Sequence, residues 1–193
     1  VSEKPDIQKS NPIAIGSQSP IPNSQNPLLQ VKNLNVWFPE KKQFFGKPTS
    51  FIKAVKDVSF DVLAGETLGL VGESGCGKST AGRAMLRLIE PTAGSIEFNG
   101  QDITNLKKKD LVPLRREMQM IFQDPFSSLN PRHTIGDIIG APFRVQGVKP
   151  EGGIMKAVQG LMDRVGLNPE HYNRYPNEFS GGQRQRIGIA RAI

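Results

Sequence analysis

The stretch from Gly72 to Ser79, which reads GESGCGKS, has the residue types and spacing of a phosphate-binding loop. It fits the pattern G-x-x-x-x-G-K-[ST], with a short apolar run before it and a helical pattern after it. Glycines let a backbone turn tightly around a phosphate, and the N–H groups of a helix N-terminus favour negative charge. We expect Lys78 to reach the β- and γ-phosphates of a nucleotide and Ser79 to offer its hydroxyl to Mg²⁺. The loop therefore predicts a nucleoside triphosphate site.

Phosphoryl transfer also needs an acidic residue at the end of a second buried strand, to hold the Mg²⁺ water shell, and usually a base or a group that positions water. Asp124 is the nearest acid, in MIFQDP, but Gln123 interrupts the apolar run before it. Gln123 is better placed, because an amide oxygen just past a strand can reach the metal or the attacking water. The alternative is a loop glutamine that faces solvent. No other apolar run ends in Asp or Glu, so the sequence offers no candidate for the catalytic carboxylate.

The last residues, FSGGQRQRIGIARAI, form a small-residue turn followed by a helical pattern. Ser180 is a natural N-cap, and Ile187 and Ala190 can share one apolar face of the helix. Arginines follow on the same helix and extend its positive charge. The residues alone leave two interpretations open, an ordinary capped helix and a second anion site.

Composition excludes several classes of protein. The chain has 193 residues, of which 37% are hydrophobic and 22% charged, as in globular domains. No apolar run approaches the length of a membrane span, and one cysteine, Cys76, excludes an internal disulfide and fits a reducing compartment. The net charge of +7 permits attraction to nucleic acid, anionic lipid or a nucleotide, without choosing among them. The run Lys107 to Lys109 is interpreted as a solvated helix face.

The elements that must position these motifs follow from the pattern of apolar residues. Residues 1–27 are polar and predict a disordered tail. Strands are predicted for LLQVKNLNVWF, FIKAVKDVSFDVL, TLGLVG, SIEFNG with a turn, and QMIFQ. Helices are predicted for STAGRAMLRLIE, for LKKKDLVPLRREM with a break at Pro113, for TIGDIIGAPFRV, for GIMKAVQGLMDRVGL and for the closing segment.

With these motifs in place, the chain resembles the nucleotide-binding subunit of an ATP-binding-cassette (ABC) transporter. GESGCGKST resembles the family's Walker A loop, IFQDP its Q-loop, and FSGGQ its LSGGQ signature, in the family's order. The phrases MQMIFQDPFSSLNPRHTIGDII and RYPNEFSGGQRQRIGIARA resemble the oligopeptide/dipeptide permease branch of bacterial importers. The resemblance covers residues 28–193.

The resemblance implies an α/β fold with a P-loop core, an antiparallel β subdomain and an α-helical subdomain. The core is expected to run to about residue 124, the helical subdomain over about 125–180 and the signature helix over 181–193. ATP and Mg²⁺ are the implied cofactors, with Ser79 and Gln123 at the metal and Lys78 and Gln123 as the catalytic residues present. The implied ATP contacts are Gly72, Glu73, Ser74, Gly75, Cys76, Gly77, Lys78, Ser79, Thr80, Ser180, Gly181, Gly182 and Gln183.

The family pattern also implies partners. Residues 180–183 are expected to contact the ATP held by a second, identical or paralogous ABC subunit, so that two nucleotides lie between two chains. Transmembrane permease subunits and, indirectly, a substrate-binding protein are further expected partners, with no nucleic acid. The expected place is the cytoplasmic face of the bacterial inner membrane. Phe44, Phe45 and Phe51 are candidates to stack on adenine.

The resemblance stops at the last residue, because the family continues with a strand ending in Asp-Glu, a D-loop and a switch histidine. His133 and His171 are interpreted as surface or packing residues. The sequence is therefore expected to be a fragment or a truncated form, incomplete at its C-terminus and inactive alone. The expected parent is an ATPase that drives uptake of short peptides. The alternatives are a soluble ABC-type ATPase acting on nucleic acid or ribosomes, and a module that only binds ATP.

Overall fold

The computed structural model describes residues 14–17, 26–40, 50–124 and 128–193. The chain divides into two compact units, Val1–Leu111 and Val112–Ile193. The division falls before residue 124, where the sequence places the end of the core. Each unit is built around its own set of buried apolar residues.

The first unit contains the described strands and two helices. The strands are β1 (Ala14–Ser17), β2 (Leu29–Pro39), β3 (Phe51–Val62), β4 (Leu68–Val71), β5 (Ala93–Phe98) and β6 (Gln101–Asp102). The helices are α1 (Lys78–Met85) and α2 (Lys108–Leu111). Strands β3, β2, β5 and β6 form, in that order, an antiparallel sheet of four strands. This sheet confirms the predicted strands over LLQVKNLNVWF, FIKAVKDVSFDVL and SIEFNG.

Helix α1 lies against the sheet that positions it. It contacts β2 and β3, and its buried Ala81 and Ala84 are small enough to allow a close approach. Val36 and Val55, which are register partners on β2 and β3, are both buried. The start of α1, which carries the phosphate-binding motif, is therefore fixed by packing on the antiparallel sheet.

Strand β4 leads into the phosphate-binding motif and pairs with β1. The pairing is antiparallel and brings Ala14 opposite Val71 and Ser17 opposite Leu68. The prediction of a disordered tail over 1–27 is therefore wrong at residues 14–17. The four residues AIGS show no alternation of apolar and polar residues that would predict a strand. They form one because strand β4, which is distant in the sequence, offers an edge to pair with. Residues 1–13 and 18–25 of the predicted tail lie outside the described residues.

Helix α1 ends earlier than the sequence predicts. It stops at Met85, whereas the helical pattern continues to Glu90. Arg87 adopts a left-handed backbone conformation with φ of 53°. Its buried side chain donates from Nε to the Ile103 carbonyl oxygen at 3.0 Å and from Nη2 to that of Leu106 at 3.5 Å. These contacts turn the chain out of the helix, and an apolar period cannot reveal them.

The second unit is helical. It contains α3 (Ile135–Val145), α4 (Gly153–Arg164) and α5 (Gly181–Ala192). Short 3-10 turns cover Leu114–Arg116, Pro169–Asn173 and Pro176–Glu178. The three helices contact one another. Their shared core contains Leu129, Ile135, Ile138, Ile139, Val158, Met162, Leu167, Phe179, Ile187 and Ala190. The predicted helices over 134–145, 153–167 and 181–193 are confirmed, although the second ends at Arg164, and the break at Pro113 is confirmed too.

The predicted strand QMIFQ is wrong. Residues 119–123 form no strand, and Ile121 and Phe122 are 50% and 39% exposed. A strand needs a neighbour to receive its backbone hydrogen bonds, and no strand pairs with these residues in the described part of the chain. The apolar pattern is present, but it is not sufficient to form a strand without a partner.

Candidate nucleotide-binding site

Lys78 is held at the centre of the loop between β4 and α1. Its Nζ donates to the carbonyl oxygens of Gly72 at 2.7 Å and Glu73 at 2.6 Å, and lies 3.6 Å from Cys76 Sγ. The Cys76 N–H also donates to the Glu73 carbonyl oxygen at 3.3 Å, which tightens the turn. The ammonium group thus links the beginning of the loop to its end. Gly72, Glu73, Cys76 and Lys78 are brought together, as the motif requires.

The N-terminus of α1 is open to an anion. Its N-cap is Gly77, which offers no side chain to the first turn, and that turn contains no acidic residue. Helix geometry leaves the first N–H groups, those of Lys78, Ser79 and Thr80, without acceptors inside the helix. These groups carry the positive end of the helix dipole. The loop therefore combines backbone donors and one ammonium group at a single place.

Two glycines give the loop its shape, for different reasons. Gly75 has φ of +83°, and a Cβ there would meet no heavy atom within 4 Å. Gly77 has φ of +102°, and a Cβ there would overlap the carbonyl oxygen of Ala54 on β3. Gly75 is therefore needed for its backbone conformation, and Gly77 also for the close approach of the loop to the sheet. The sequence does not reveal the contact with Ala54, because a backbone carbonyl leaves no signature in residue type.

The described residues fit a bound nucleoside triphosphate with Mg²⁺. The space beside Gly75 is open, and Ser74 and Ser79 are exposed. The Ser79 hydroxyl is an oxygen ligand of the kind that Mg²⁺ prefers. Among the described residues, no group of three or more His, Cys, Asp or Glu could hold a metal ion. Mg²⁺ usually keeps several waters and binds through few protein ligands together with substrate phosphates.

The other two motifs belong to the second unit. Gln123 lies in an exposed bend that follows the exposed Phe122. Ser180 caps α5, and its Oγ accepts from the Gln183 N–H at 3.3 Å. In return the Gln183 Oε1 accepts from the Ser180 N–H at 2.9 Å. Ser180 and Gln183 thus form a capping box, with Gly181 and Gly182 between them, and the first turn of α5 has no acidic residue.

The remaining candidates are the phenylalanines considered for stacking on adenine and the two histidines. Phe51 is exposed at the start of β3, and its ring centroid lies 6.5 Å from that of Trp37. Phe44 and Phe45 lie outside the described residues. His171 packs edge-on against Phe179 at 5.8 Å between ring centroids, as expected for a packing histidine. His133 is exposed.

With this geometry established, the comparisons with known proteins define the class. The family model for ABC transporters matches residues 55–193, a range that includes the loop, Gln123 and the capping box. The chain therefore belongs to the ABC transporter family and contains its ATP-binding domain. Among the described residues, no helix combines the length and apolar character needed to cross a bilayer.

Its curated relatives are import proteins. The chain is 54% identical over 167 residues to "Glutathione import ATP-binding protein GsiA" of Salmonella paratyphi A (strain ATCC 9150 / SARB42). It is 56% identical over the same length to the protein of that name from Escherichia coli (strain K12). Each alignment covers 86% of this chain and 27% of the relative. The chain thus spans about a quarter of the length of the curated relatives that it matches.

Solved structures confirm the predicted fold class. A dimer of the ATP-binding cassette MJ0796 in a post-hydrolysis state, bound to ADP and Pi, matches with a TM-score of 0.70 and 27% identity. That match covers 86% of this chain and 68% of the other. The cassette cbiO1 from Clostridium perfringens matches with a TM-score of 0.61 and 23% identity over 86% of this chain and 61% of that one. At that identity the likeness concerns the fold alone.

Proposed function

We propose that this domain binds ATP with Mg²⁺ through Gly72–Thr80 and works as the ATPase component of an importer. The observation that carries the proposal is the open N-terminus of α1 with Lys78 beside it. The N–H groups of the first turn would receive the phosphates. Lys78 would exchange its two carbonyl acceptors for phosphate oxygens, so its ammonium group would have hydrogen-bond acceptors both with and without nucleotide. Ser79 would hold Mg²⁺, which supplies neutralisation of charge during phosphoryl transfer.

The second part of the proposal concerns Gln123 and Ser180–Gln183. Gln123 is exposed and would sense the γ-phosphate and metal of the ATP bound by its own chain. The capping box at α5 would face the ATP held by a partner cassette, identical or paralogous. The dimeric state named for MJ0796 supports this arrangement.

The third part concerns what is transported. The curated relatives are named as glutathione import proteins, and glutathione is a short peptide. We therefore place this domain in an importer of short peptides or similar solutes, at the cytoplasmic face of the membrane beside permease subunits. The relatives favour the importer over an ATPase that acts on nucleic acid or ribosomes, because none of those named acts on either.

The experiment that tests nucleotide binding replaces Lys78. Lys78→Met retains most of the side-chain volume and removes the ammonium group. We expect MgATP affinity, measured by isothermal titration calorimetry, to fall by tenfold or more, because a charge-assisted hydrogen bond contributes about 1.5–3 kcal/mol. AMP should bind weakly to both proteins, since it lacks the β- and γ-phosphates.

A matched control is Lys109→Met, which replaces an exposed lysine of helix α2 in the same unit. It removes the same charge from the net balance and should change MgATP affinity less than twofold. Equal affinity in Lys78→Met and Lys109→Met would contradict the proposed site. It would mean that the nucleotide is attracted by the general positive charge of the domain and not held by the loop.

A further inference from the structure

Strand β4 has β1 as its one strand neighbour in the described part of the chain. The two strands form a sheet of their own, separate from the four-stranded sheet. Their register runs from Ser17 opposite Leu68 to Ala14 opposite Val71. No residue of β4 is buried, and Val71 is 65% exposed. The extended backbone of β4 therefore depends more on its hydrogen bonds with β1 than on packing.

The phosphate-binding loop is held at its two ends by different parts of the first unit. At its end, Gly77 lies against the Ala54 carbonyl oxygen of β3, and α1 packs on the four-stranded sheet. At its beginning, Gly72 follows Val71 directly, and the Gly72 carbonyl oxygen accepts from Lys78 Nζ at 2.7 Å. The pairing with β1 therefore reaches the residue that precedes the first acceptor of Lys78.

We propose that β1 is a regulatory strand of the nucleotide site. While it pairs with β4, it holds the beginning of the loop in the conformation that receives nucleotide, and loss of the pairing weakens nucleotide binding. The inference rests on the proposed function, which places the phosphates at Gly72–Thr80. An isolated pair of short strands is only marginally stable, so β1 can separate from β4 while the four-stranded sheet stays folded. Occupancy of the β4 edge thus sets the affinity of the loop.

The expected size of the effect follows from the freedom that Gly72 and Glu73 gain without β1. Nucleotide binding must then order the backbone there, and fixing one residue corresponds to about a fivefold loss of affinity or more. Linkage is reciprocal, so MgATP must strengthen the pairing of β1 with β4 by the same factor. The proposed function assigns no nucleotide contact to Ala14–Ser17. A response of these residues to MgATP therefore reports the pairing and not direct contact with the ligand.

The test uses the full chain with two prolines in β1, Ile15→Pro together with Gly16→Pro. Neighbouring residues of an antiparallel strand alternate between positions that donate to the partner strand and positions that do not, so one of the two prolines removes a donor. The matched control is Ile15→Ala together with Gly16→Ala, which retains both N–H groups. We expect MgATP affinity, measured by isothermal titration calorimetry, to fall about fivefold or more in the proline variant. In the alanine variant it should change less than about twofold.

Hydrogen–deuterium exchange of the parent supplies a second measurement. MgATP should slow exchange at Ala14–Ser17 by about fivefold, the factor that reciprocity requires. The reference is β6 (Gln101–Asp102), another short strand at a sheet edge. Exchange at β6 should change less than about twofold, because edge strands exchange by local opening and β6 does not adjoin the loop.

The outcomes separate the inference from the proposed function. If the proline variant binds MgATP as tightly as the parent, β1 has a merely structural role, and the inference is overturned while the proposed function stands. The same holds if the alanine variant loses as much affinity, or if MgATP binds the parent without slowing exchange at Ala14–Ser17 more than at β6. Failure of the parent to bind MgATP would refute the proposed function, and the inference with it. Should the proline variant fail to fold, as judged by circular dichroism, the exchange measurement on the parent decides.

Discussion

Replacement of Gly77 by alanine is the sharpest test of how the phosphate-binding loop is built. Gly77 has φ of +102° and lies so close to β3 that a Cβ would overlap the Ala54 carbonyl oxygen. Ala54 belongs to a long strand paired with β2 and cannot move aside alone. The alanine must therefore either displace the loop from the sheet or disturb the sheet itself.

The expected loss of stability in Gly77→Ala is the sum of two separate costs. A positive φ costs a non-glycine residue about 1–2 kcal/mol, and forced overpacking costs about 1–3 kcal/mol more. We therefore expect Gly77→Ala to lower the free energy of unfolding by about 2–5 kcal/mol. Gly75→Ala has the strain without the overlap, since its Cβ would meet no heavy atom within 4 Å. It should lose only about 1–2 kcal/mol.

At a third glycine, Gly82, we expect alanine to raise the free energy of unfolding instead of lowering it. Gly82 lies within α1 in ordinary helical conformation, and a Cβ there would meet no heavy atom within 4 Å. Gly82→Ala should therefore raise the free energy of unfolding by about 0.5–1 kcal/mol, because alanine loses less backbone freedom in a helix. Each of the three substitutions adds one methyl group to the same loop and helix. Differences in their free energies of unfolding therefore report the backbone conformation and the space at each position.

The assay is urea unfolding followed by fluorescence of Trp37, the single tryptophan. Trp37 lies on β2 in the first unit, with Gly75, Gly77 and Gly82. The expected order of stability is Gly82→Ala, parent, Gly75→Ala and Gly77→Ala. If Gly77→Ala and Gly75→Ala unfold within about 0.5 kcal/mol of each other, close to the precision of such extrapolations, the reasoning about the Ala54 carbonyl is refuted.

The remaining predictions concern the cap of α5 and one carboxylate. Ser180→Ala should lower the free energy of unfolding of the second unit by about 1 kcal/mol, measured by circular dichroism in urea, while Ser180→Thr retains the cap and should change it little. Hydrogen bonds from the Thr104 side chain and then from its backbone N–H lower the pKa of Asp102 from its usual value. The stability that this carboxylate contributes is therefore present above about pH 4 and lost as the pH falls through the lowered pKa. Asp102→Asn should flatten the acid limb of a thermal-midpoint curve, and an unchanged limb would contradict the assignment.

The sequence predicts well those elements whose cause is local. The phosphate-binding loop is defined by its glycines, Lys78 and Ser79, and the cap of α5 by Ser180 and Gln183, all within a few residues. The turn after β5 is another example, because Asn99 and Gly100 adopt φ of 49° and 75° in a two-residue hairpin connection. Asn-Gly is the preferred pair for such a turn.

The errors concern elements whose cause lies elsewhere in the chain. QMIFQ has the apolar character of a buried strand but finds no partner among the described residues. Conversely, Ala14–Ser17 has no strand pattern and becomes a strand because β4 offers an edge. The early end of α1 depends on carbonyl groups at Ile103 and Leu106, near which Arg87 places its side chain. Strand partners and backbone acceptors are contributed by distant parts of the chain, so the local spacing of apolar residues cannot predict them.

The two glycine-bearing helix starts offer an anion different chemistry, and under the proposed function Ser180 would serve both stability and binding. At α1 the N-cap has no side chain, so the phosphate itself would satisfy the first N–H groups. At α5 the Ser180 Oγ already accepts from the Gln183 N–H. A hydroxyl that accepts still has its own proton to donate, so Ser180 can cap the helix and donate to a phosphate at the same time. Alanine at this position would therefore weaken the helix start and remove the donor, whereas threonine would retain both.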